Sequence, residues 1–400
     1  MIYPSLPPAS YTETLWFDLE RERLFREHWI LVGMTQQLPS ENCYITREVG
    51  GIPVLVQKIG GQLRAFKNAC PHRLCPIQTG AFGNRKLLCP YHGWSFGQEG
   101  RLRGIPLGTG YNFSEEDKVC MDLQTYPLEA VGDFLFVNVS ATPKPISWQF
   151  SDDMLLLLTE LSRFLSREVS YTSWTGKYNW KLNYENIIEG EGQHVPFVHQ
   201  TTLAPSFKSE GSPVPPSHLF RPDGPLGKIH LTEMPDWAHS PIPGLDDNGK
   251  PKKIDVREVS DIKRRRIAYT PRWHSERMES CDRGWYFACH IFPNVNVSIT
   301  SGEWCFLEQF SPLAPDRTEY HSWAFSARLK EGVRPMPHLL WGFHHNEKRV
   351  VDEDVVVFEE VQKVLASRPD NAGYLGENER TLAAFGRYYL QCLKKGEDYA

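Results

Sequence analysis

No apolar run in the 400 residues is long enough to cross a bilayer: the longest unbroken leucine stretch is Leu155 to Leu158, against the ~20 apolar residues a spanning helix needs. A surplus of positive charge is missing too. Lys and Arg number 44 against 49 Asp and Glu, for a formal charge of −5, so there is no field to hold a phosphate backbone and neither nucleic acid nor membrane is an expected partner. The start, Met1 to Ser10, lacks a basic stretch followed by an apolar one, so the expected location is the cytoplasm. Internal repeats and low-complexity segments are absent. Cysteine is sparse and odd in number, nine in all, which excludes a disulfide-stapled miniprotein and suits metal chemistry in a reducing compartment.

What is present describes an ordinary globular chain of two or three domains, with 40% apolar, 23% charged and 12% aromatic residues. Leu15, Trp16, Leu19, Leu24, Phe25 and Trp29 among charged residues suggest helix, within an N-terminal segment assigned to residues 1–40. Short runs such as Ile52 to Val56, Leu63 to Phe66 and Phe134 to Val139, split by Gly60, Gly61, Gly80, Gly97, Gly100 and Gly132, predict a small all-β domain over residues 41–140. Ala141 to Pro145 reads as a linker into a second domain, 141–400, that opens with a helix at Met154 to Phe164. Proline and glycine are frequent between Thr201 and Pro271, so residues 201–275 are read as irregular excursions of the kind that serve as lids. Strand character returns from Gly284 to Leu329, and the tail from Phe343 is helical, giving an α+β chain in which helices pack on an antiparallel sheet.

Within the β domain, Cys70-Pro71-His72 is followed by sixteen residues and then Cys89-Pro90-Tyr91-His92. Thiolate and imidazole suit zinc or iron equally. Residues two apart on extended chain lie roughly 6.6 Å from each other, a separation more natural for ligands on two irons than for one tetrahedral zinc. A [2Fe-2S] cluster with both cysteines on one iron and both histidines on the other meets that demand. A zinc knot or four unrelated residues is the weaker reading. Cys75, in the same loop, is better read as a packed free thiol.

These residues, in Asn68-Ala69-Cys70-Pro71-His72-Arg73 and Cys89-Pro90-Tyr91-His92-Gly93-Trp94, resemble the Rieske domain of the Rieske non-haem iron oxygenases. The resemblance runs from the Glu41 region through Asn138. It implies a terminal oxygenase (alpha) subunit whose cluster, held by Cys70, His72, Cys89 and His92, receives NAD(P)H-derived electrons from a separate flavin/iron-sulfur reductase or a ferredoxin.

Such a cluster is only a wire unless the second domain holds a place for chemistry. His194 and His199 lie five residues apart, about 140° on an unbroken helix, where they would not share an ion. Pro196 between them is expected to break that helix and let the chain turn back. Two histidines and one carboxylate commonly hold the ferrous iron that activates O2. On the tail helix, Val350, Val351, Val357, Phe358, Val361 and Leu365 all fall within about 60° of Asp354, which makes it an acid inside an apolar stripe. Burial of that acid costs several kcal/mol unless it is paired or bound to metal. A core Asp bonded to an Arg or to backbone is the bland alternative.

The resemblance tips the choice. In the family, two histidines follow a stretch like Asn179-Trp180-Lys181-Leu182, and the third ligand sits on an acid-rich helix with a Glu and a Gln spaced as Glu359 and Gln362 are here. His194, His199 and Asp354 are thereby implied as ligands of a mononuclear Fe(II). Many members also place an acid three residues before the first histidine, linking it to a Rieske histidine of the next subunit in a ring-shaped trimer. Glu191 holds that offset, with His72 or His92 as the partner histidine. It is Glu where Asp is more frequent, as in relatives acting on quaternary ammonium compounds. Glu189 competes for the role, and a solvated acid in a Gly-rich turn is the bland reading.

The expected activity is oxidation of a small organic substrate with O2, by hydroxylation or oxidative demethylation. The alternatives are aromatic-ring dihydroxylation by a dioxygenase and an electron-transfer protein with a degenerate second site. Trp285, Phe287, Trp304, Phe306 and Trp323 are read as sandwich core before a substrate cage, and Lys263 to Arg266 as a solvated face before a carboxylate clamp. Iron content separates the classes: about two irons per chain for a cluster alone, about three for an oxygenase.

Overall fold

The computed structural model describes residues 3–108, 110–189, 194–203, 218–223, 230–233, 253–259, 261–266, 276, 285–300, 303–369, 373–376 and 379–394. The chain divides into two units: Arg21–Ile146, and a larger unit made of Met1–Glu20 with Ser147–Ala400. No described helix is long and apolar enough to cross a membrane.

The smaller unit is built on antiparallel sheets. Five strands pair in the order Phe82–Asn84, Cys43–Val49, Ile52–Ile59, Gln62–Lys67 and Thr125–Tyr126, and three more in the order Leu128–Val131, Phe134–Val137 and Ile30–Met34. Glycines at the tight turns take the left-handed conformation, among them Gly60 (φ 59°), Gly61 (φ 75°) and Gly132 (φ 59°), which a side chain would disfavour. Leu55, Phe66, Ile77, Leu87, Trp94, Phe96 and Leu123 form one buried cluster that also takes in Cys70 and Cys89. Apolar packing therefore fixes where those two sulfurs stand.

In the larger unit an eight-stranded antiparallel sheet runs in the order Ser170–Gly176, Arg317–Ser326, Trp304–Ala314, Val295–Thr300, Trp285–Ile291, Asp261–Arg266, His218–Asp223 and His230–Glu233. Three of these strands lie within the stretch read as irregular. Proline and glycine density obscured them, since Pro222 itself stands inside a strand. The rest of that stretch, apart from Thr201–Leu203 and Lys253–Val259, lies outside the described residues.

The 30-residue helix Pro337–Ala366 packs on the sheet, with Leu339, Leu340 and Phe343 against Trp304, Phe306 and Ala324. It begins six residues before Phe343, with a proline in its first turn, where the missing N–H is no loss. Trp304, Phe306 and Trp323 are buried in the sheet, as core residues should be. The side chains of Trp285, Phe287 and Lys263 to Arg266 lie outside the described residues.

One polar knot ties the N-terminal segment to this unit. The helix Trp180–Ile188 starts at Asn179, whose side chain accepts from the Lys181 N–H. Lys181 is fully buried, and its Nζ donates to Glu20 Oε1 at 2.6 Å and to the Ser10 carbonyl at 2.8 Å. The Trp180 indole (2.9 Å) and the Tyr389 hydroxyl (2.6 Å) also donate to Glu20. Burial pulls the Lys181 ammonium toward neutrality and the Glu20 carboxylate opposes it.

Removing one member of such a pair strands the other charge in the interior. Lys181→Ala should lower stability by about 3–5 kcal/mol, read as a shift in the denaturant midpoint followed by circular dichroism.

Candidate active site

Two loops of the smaller unit carry Cys70, His72, Cys89 and His92. The first is closed by Cys70 N–H to the Cys75 carbonyl (2.8 Å) and Leu74 N–H to the Cys70 carbonyl (2.8 Å), the second by Cys89 N–H to the Trp94 carbonyl (2.8 Å) and Gly93 N–H to the Cys89 carbonyl (3.1 Å). Gly93 has φ 69°, and a Cβ there would lie 2.8 Å from Pro106, so only glycine fits this turn.

The Cys70 sulfur faces the Cys89 sulfur and the backbone N–H groups of His72 and Arg73. Burial pushes the Cys70 thiol up to about 11, so a metal is what would ionise it. The His72 and His92 rings sit 4.6 Å apart, and His72 stacks on Trp94 at 4.7 Å. His72 Nδ1 is buried and has no hydrogen-bond partner among the described residues. Two sulfurs side by side, two imidazoles side by side and an orphaned ring nitrogen fit a cluster held by both pairs. Cys75 is half-buried, and burial and the Cys89 sulfur raise its thiol, consistent with the packed role read for it.

In the larger unit, His194, His199 and Asp354 come together. Among the described residues this is the one group of three such donors whose ligand atoms all lie within 4.8 Å of one another. The expected break at Pro196 has a different form. Pro196 stands in the first turn of a short helix, Val195–Val198, and starts it. The chain leaves helical geometry at His199 itself (φ −86°, ψ 50°), and the two rings end 5.1 Å apart.

Each imidazole is held by its outer nitrogen and presents Nε2 inward. His199 Nδ1 bonds Glu353 Oε2 at 3.1 Å, and His194 Nδ1 bonds Glu189. His199 Nε2 then lies 3.4 Å, and His194 Nε2 3.9 Å, from Asp354 Oδ1. That oxygen is buried with no hydrogen-bond partner among the described residues. Burial pushes the Asp354 carboxyl up to about 7; His194 and a bond from Asn186 pull it down, while Glu308 adds to the rise. Burial lowers His199, which favours the neutral ring a metal requires. An orphaned carboxylate oxygen facing two fixed imidazole nitrogens fits one divalent cation.

The buried stripe of the long helix is Leu340, His344, Val351, Asp354, Phe358 and Gln362. Asp354 is on it as expected, whereas Val357 and Val361 are 39% and 38% exposed. Gln362 instead is buried, accepting from Asn179 N–H (2.9 Å) and donating to the Tyr11 carbonyl (3.0 Å). Glu191 lies outside the described residues.

Sequence reasoning missed Glu353, which also takes bonds from Thr201 and, at 2.6 Å, from Thr202. Its available signals were the adjacent Asp354 and the hydroxyl pair that follows His199 and Gln200. Asn186, whose side chain approaches His194 Nε2 at 3.5 Å, was missed as well.

A family model described as "Ring hydroxylating alpha subunit (catalytic domain)" matches residues 164–395, and one described as "Rieske [2Fe-2S] domain" matches residues 28–127. The glycine betaine monooxygenase oxygenase subunit of Pseudomonas aeruginosa is 30% identical over 195 residues, covering 46% of this chain and 43% of that protein. The anthranilate 1,2-dioxygenase large subunit of Acinetobacter baylyi is 31% identical over 196 residues, 47% of this chain and 41% of that one. The aligned stretch thus takes in less than half the length of these relatives. Among solved structures, the quaternary ammonium Rieske monooxygenase CntA in complex with L-carnitine aligns with a TM-score of 0.68 at 20% identity, covering 97% of this chain and 94% of that one. Naphthalene 1,2-dioxygenase from Rhodococcus sp. bound to indole aligns at 0.67 and 18%, covering 98% and 95%.

Outer-nitrogen partners of this kind tune metal affinity about 10–100-fold. Glu353→Ala should therefore weaken Fe(II) binding at the three-donor site by that factor, measured by iron titration, and leave the visible absorption of the cluster unchanged.

Proposed function

The chain belongs to the Rieske non-haem iron oxygenases as a terminal oxygenase alpha subunit, and on that premise we propose that it uses reductase-supplied electrons and O2 to hydroxylate or oxidatively demethylate a small organic substrate. The electron-receiving domain, expected at residues 41–140, also takes in Ile30–Met34 as a strand paired with Phe134–Val137, and of the N-terminal segment expected at residues 1–40 only Met1–Glu20 groups with the oxidising domain, expected at 141–400. The observation that carries this reading is the convergence of His194, His199 and Asp354 on one point.

When bound, the [2Fe-2S] group passes single electrons and the mononuclear Fe(II) activates dioxygen. Everything else falls to the chain. Cys70 and Cys89 supply thiolates from a dry core, and His72 and His92 supply neutral imidazoles at the rim of the two loops. His194 and His199 are the neutral ligands of the second site, and Asp354 is the one anionic ligand. Glu353 and Glu189 accept the outer ring protons and so fix which nitrogen faces inward. Two histidines and a single carboxylate are the donor set that would hold Fe(II) for O2 chemistry.

For the relay acid at His194, expected at Glu191 with Glu189 as competitor, we favour Glu189, because it already bonds His194 Nδ1. With such a relay the working unit is a homotrimer, in which the acid reaches His72 or His92 of the next subunit. NAD(P)H acts indirectly, through a flavin/iron-sulfur reductase or ferredoxin in the cytoplasm. Aromatic-ring dihydroxylation is the second reading, supported by the 31% identity to a dioxygenase large subunit.

Asp354→Ala should reduce iron from about three to about two per chain, abolish NADH-coupled substrate oxidation and leave the rhombic paramagnetic signal of the dithionite-reduced cluster intact. Formaldehyde among the products of the parent enzyme marks demethylation, whereas a cis-diol marks ring attack. Turnover that survives Asp354→Ala would remove the basis of the assignment.

A further inference from the structure

On the face of the catalytic sheet beneath the long helix, one transverse row is polar from strand to strand. The register pairs His290 with Asn296, Asn296 with Glu308, and Glu308 with Ser322, and directly opposed residues of an antiparallel pair share a face. All four are buried. His344 of the long helix bonds Ser322 Oγ through Nε2 at 2.9 Å and Ser170 Oγ through Nδ1 at 2.8 Å. The helix is thereby fastened beside Glu308. Nearly one turn further along it stands Glu347, seven residues before Asp354, so the two share a helical face to within about 20° and are separated by about 10 Å of rise.

Two groups of this interior offer acceptors that no described residue meets. Glu308 Oε2 accepts from Asn296 Nδ2 at 2.6 Å, and Glu308 Oε1 accepts from the Tyr320 hydroxyl. The carboxylate turns the Asn296 amide with its NH2 toward itself, which leaves Oδ1 as the unsatisfied end. Asn296 is 2% exposed, and that oxygen has no donor among the described residues. Glu347 likewise has no hydrogen bond or ion pair among the described residues. Burial, then Glu308 and Asp354, push its carboxyl up to about 8. The Asn296 oxygen is buried, and buried acceptors in native proteins are normally satisfied; with the half-buried Glu347 carboxyl nearby, the set can take a donor brought from outside.

Resting on the reading of the chain as an oxygenase, we propose that Glu347, Glu308 and Asn296 are specificity-determining residues that receive the N–H-bearing cationic group of the substrate, a protonated amine. A quaternary nitrogen has no N–H to give these oxygens and is recognised instead by open aromatic faces. Among the described residues, the rings of Phe343, Trp304 and Phe306 on this face are engaged with one another: Phe343 stacks on Trp304 at 4.2 Å and on Phe306 at 4.5 Å. An amine held at Glu347 would extend a short carbon chain along the helix toward Asp354.

The test uses anaerobic, iron-loaded holoenzyme and three probes of similar shape: N,N-dimethylethanolamine, which is protonated at neutral pH, choline, which is quaternary, and 3,3-dimethyl-1-butanol, which is neutral. Calorimetric titration should show the amine binding at least about tenfold more tightly than either other probe. Glu347→Gln should weaken amine binding by about tenfold or more and change alcohol binding by less than about threefold, while Glu347→Asp keeps part of the preference. Circular dichroism confirms that each variant is folded.

Equal binding of the three probes, no binding of the amine, choline binding as tightly as the amine, or an unchanged preference in Glu347→Gln would each overturn the proposal. A loss of metal on Glu347→Gln would do so too, by marking the acids as an inorganic cation site. Iron analysis of the same holoenzyme tests the oxygenase reading separately: absence of the mononuclear iron defeats that reading, whereas full iron with no amine preference defeats only this one.

Discussion

A single carboxylate oxygen organises the catalytic unit. Asp354 Oδ1 is buried, unpaired and opposed by two imidazole nitrogens, an arrangement that costs free energy in the bare protein and is relieved by a cation. The rest of the unit keeps that arrangement from collapsing. The long helix is fixed to the sheet by Leu340 and Phe343 packing and by the bonds of His344, so Asp354 has no freedom to swing toward water. The two histidines come from a short turn whose start is set by Pro196 and whose end is set by the change of backbone direction at His199.

The buried Lys181 and Glu20 pair serves the same end from further away. It secures the start of the helix that carries Asn186 and ends at Glu189. Both of those residues reach His194, and Glu189 does so from the cap position of the helix. Because Glu20 also takes bonds from Trp180 and Tyr389, one acid near the N-terminus links three separate stretches of sequence. Buried ion pairs of this kind specify an arrangement more than they stabilise it.

Much of this was readable from residue type and spacing. The cysteine and histidine pairs announced a cluster because their offsets are local. Asp354 stood out because a carboxylate on an apolar stripe is tolerated only when a hydrogen-bond partner or a cation meets it there. The helix wheel located it, although it misjudged Val357 and Val361, since a wheel knows nothing of which side the sheet covers. What stayed hidden depended on the folding of distant segments: Glu353 looked like one acid among several until Thr201 and Thr202 came to lie against it. The strands at 218–223 and 230–233 were masked by prolines and glycines, which weaken the alternation that marks a strand without abolishing the backbone pairing.

The bonds from Thr201 and Thr202 to Glu353 have a kinetic meaning. They join the loop behind His199 to the helix that carries Asp354 through groups that are not themselves metal donors. Two of the three donors, His199 and Asp354, are therefore kept in register by a clasp that needs no ion between them. Extraction by a chelator and reloading become local exchange events, with the scaffold intact throughout, and recovery after demetallation should be set by the rate of ion entry instead of by the slower reassembly of a helix on its sheet.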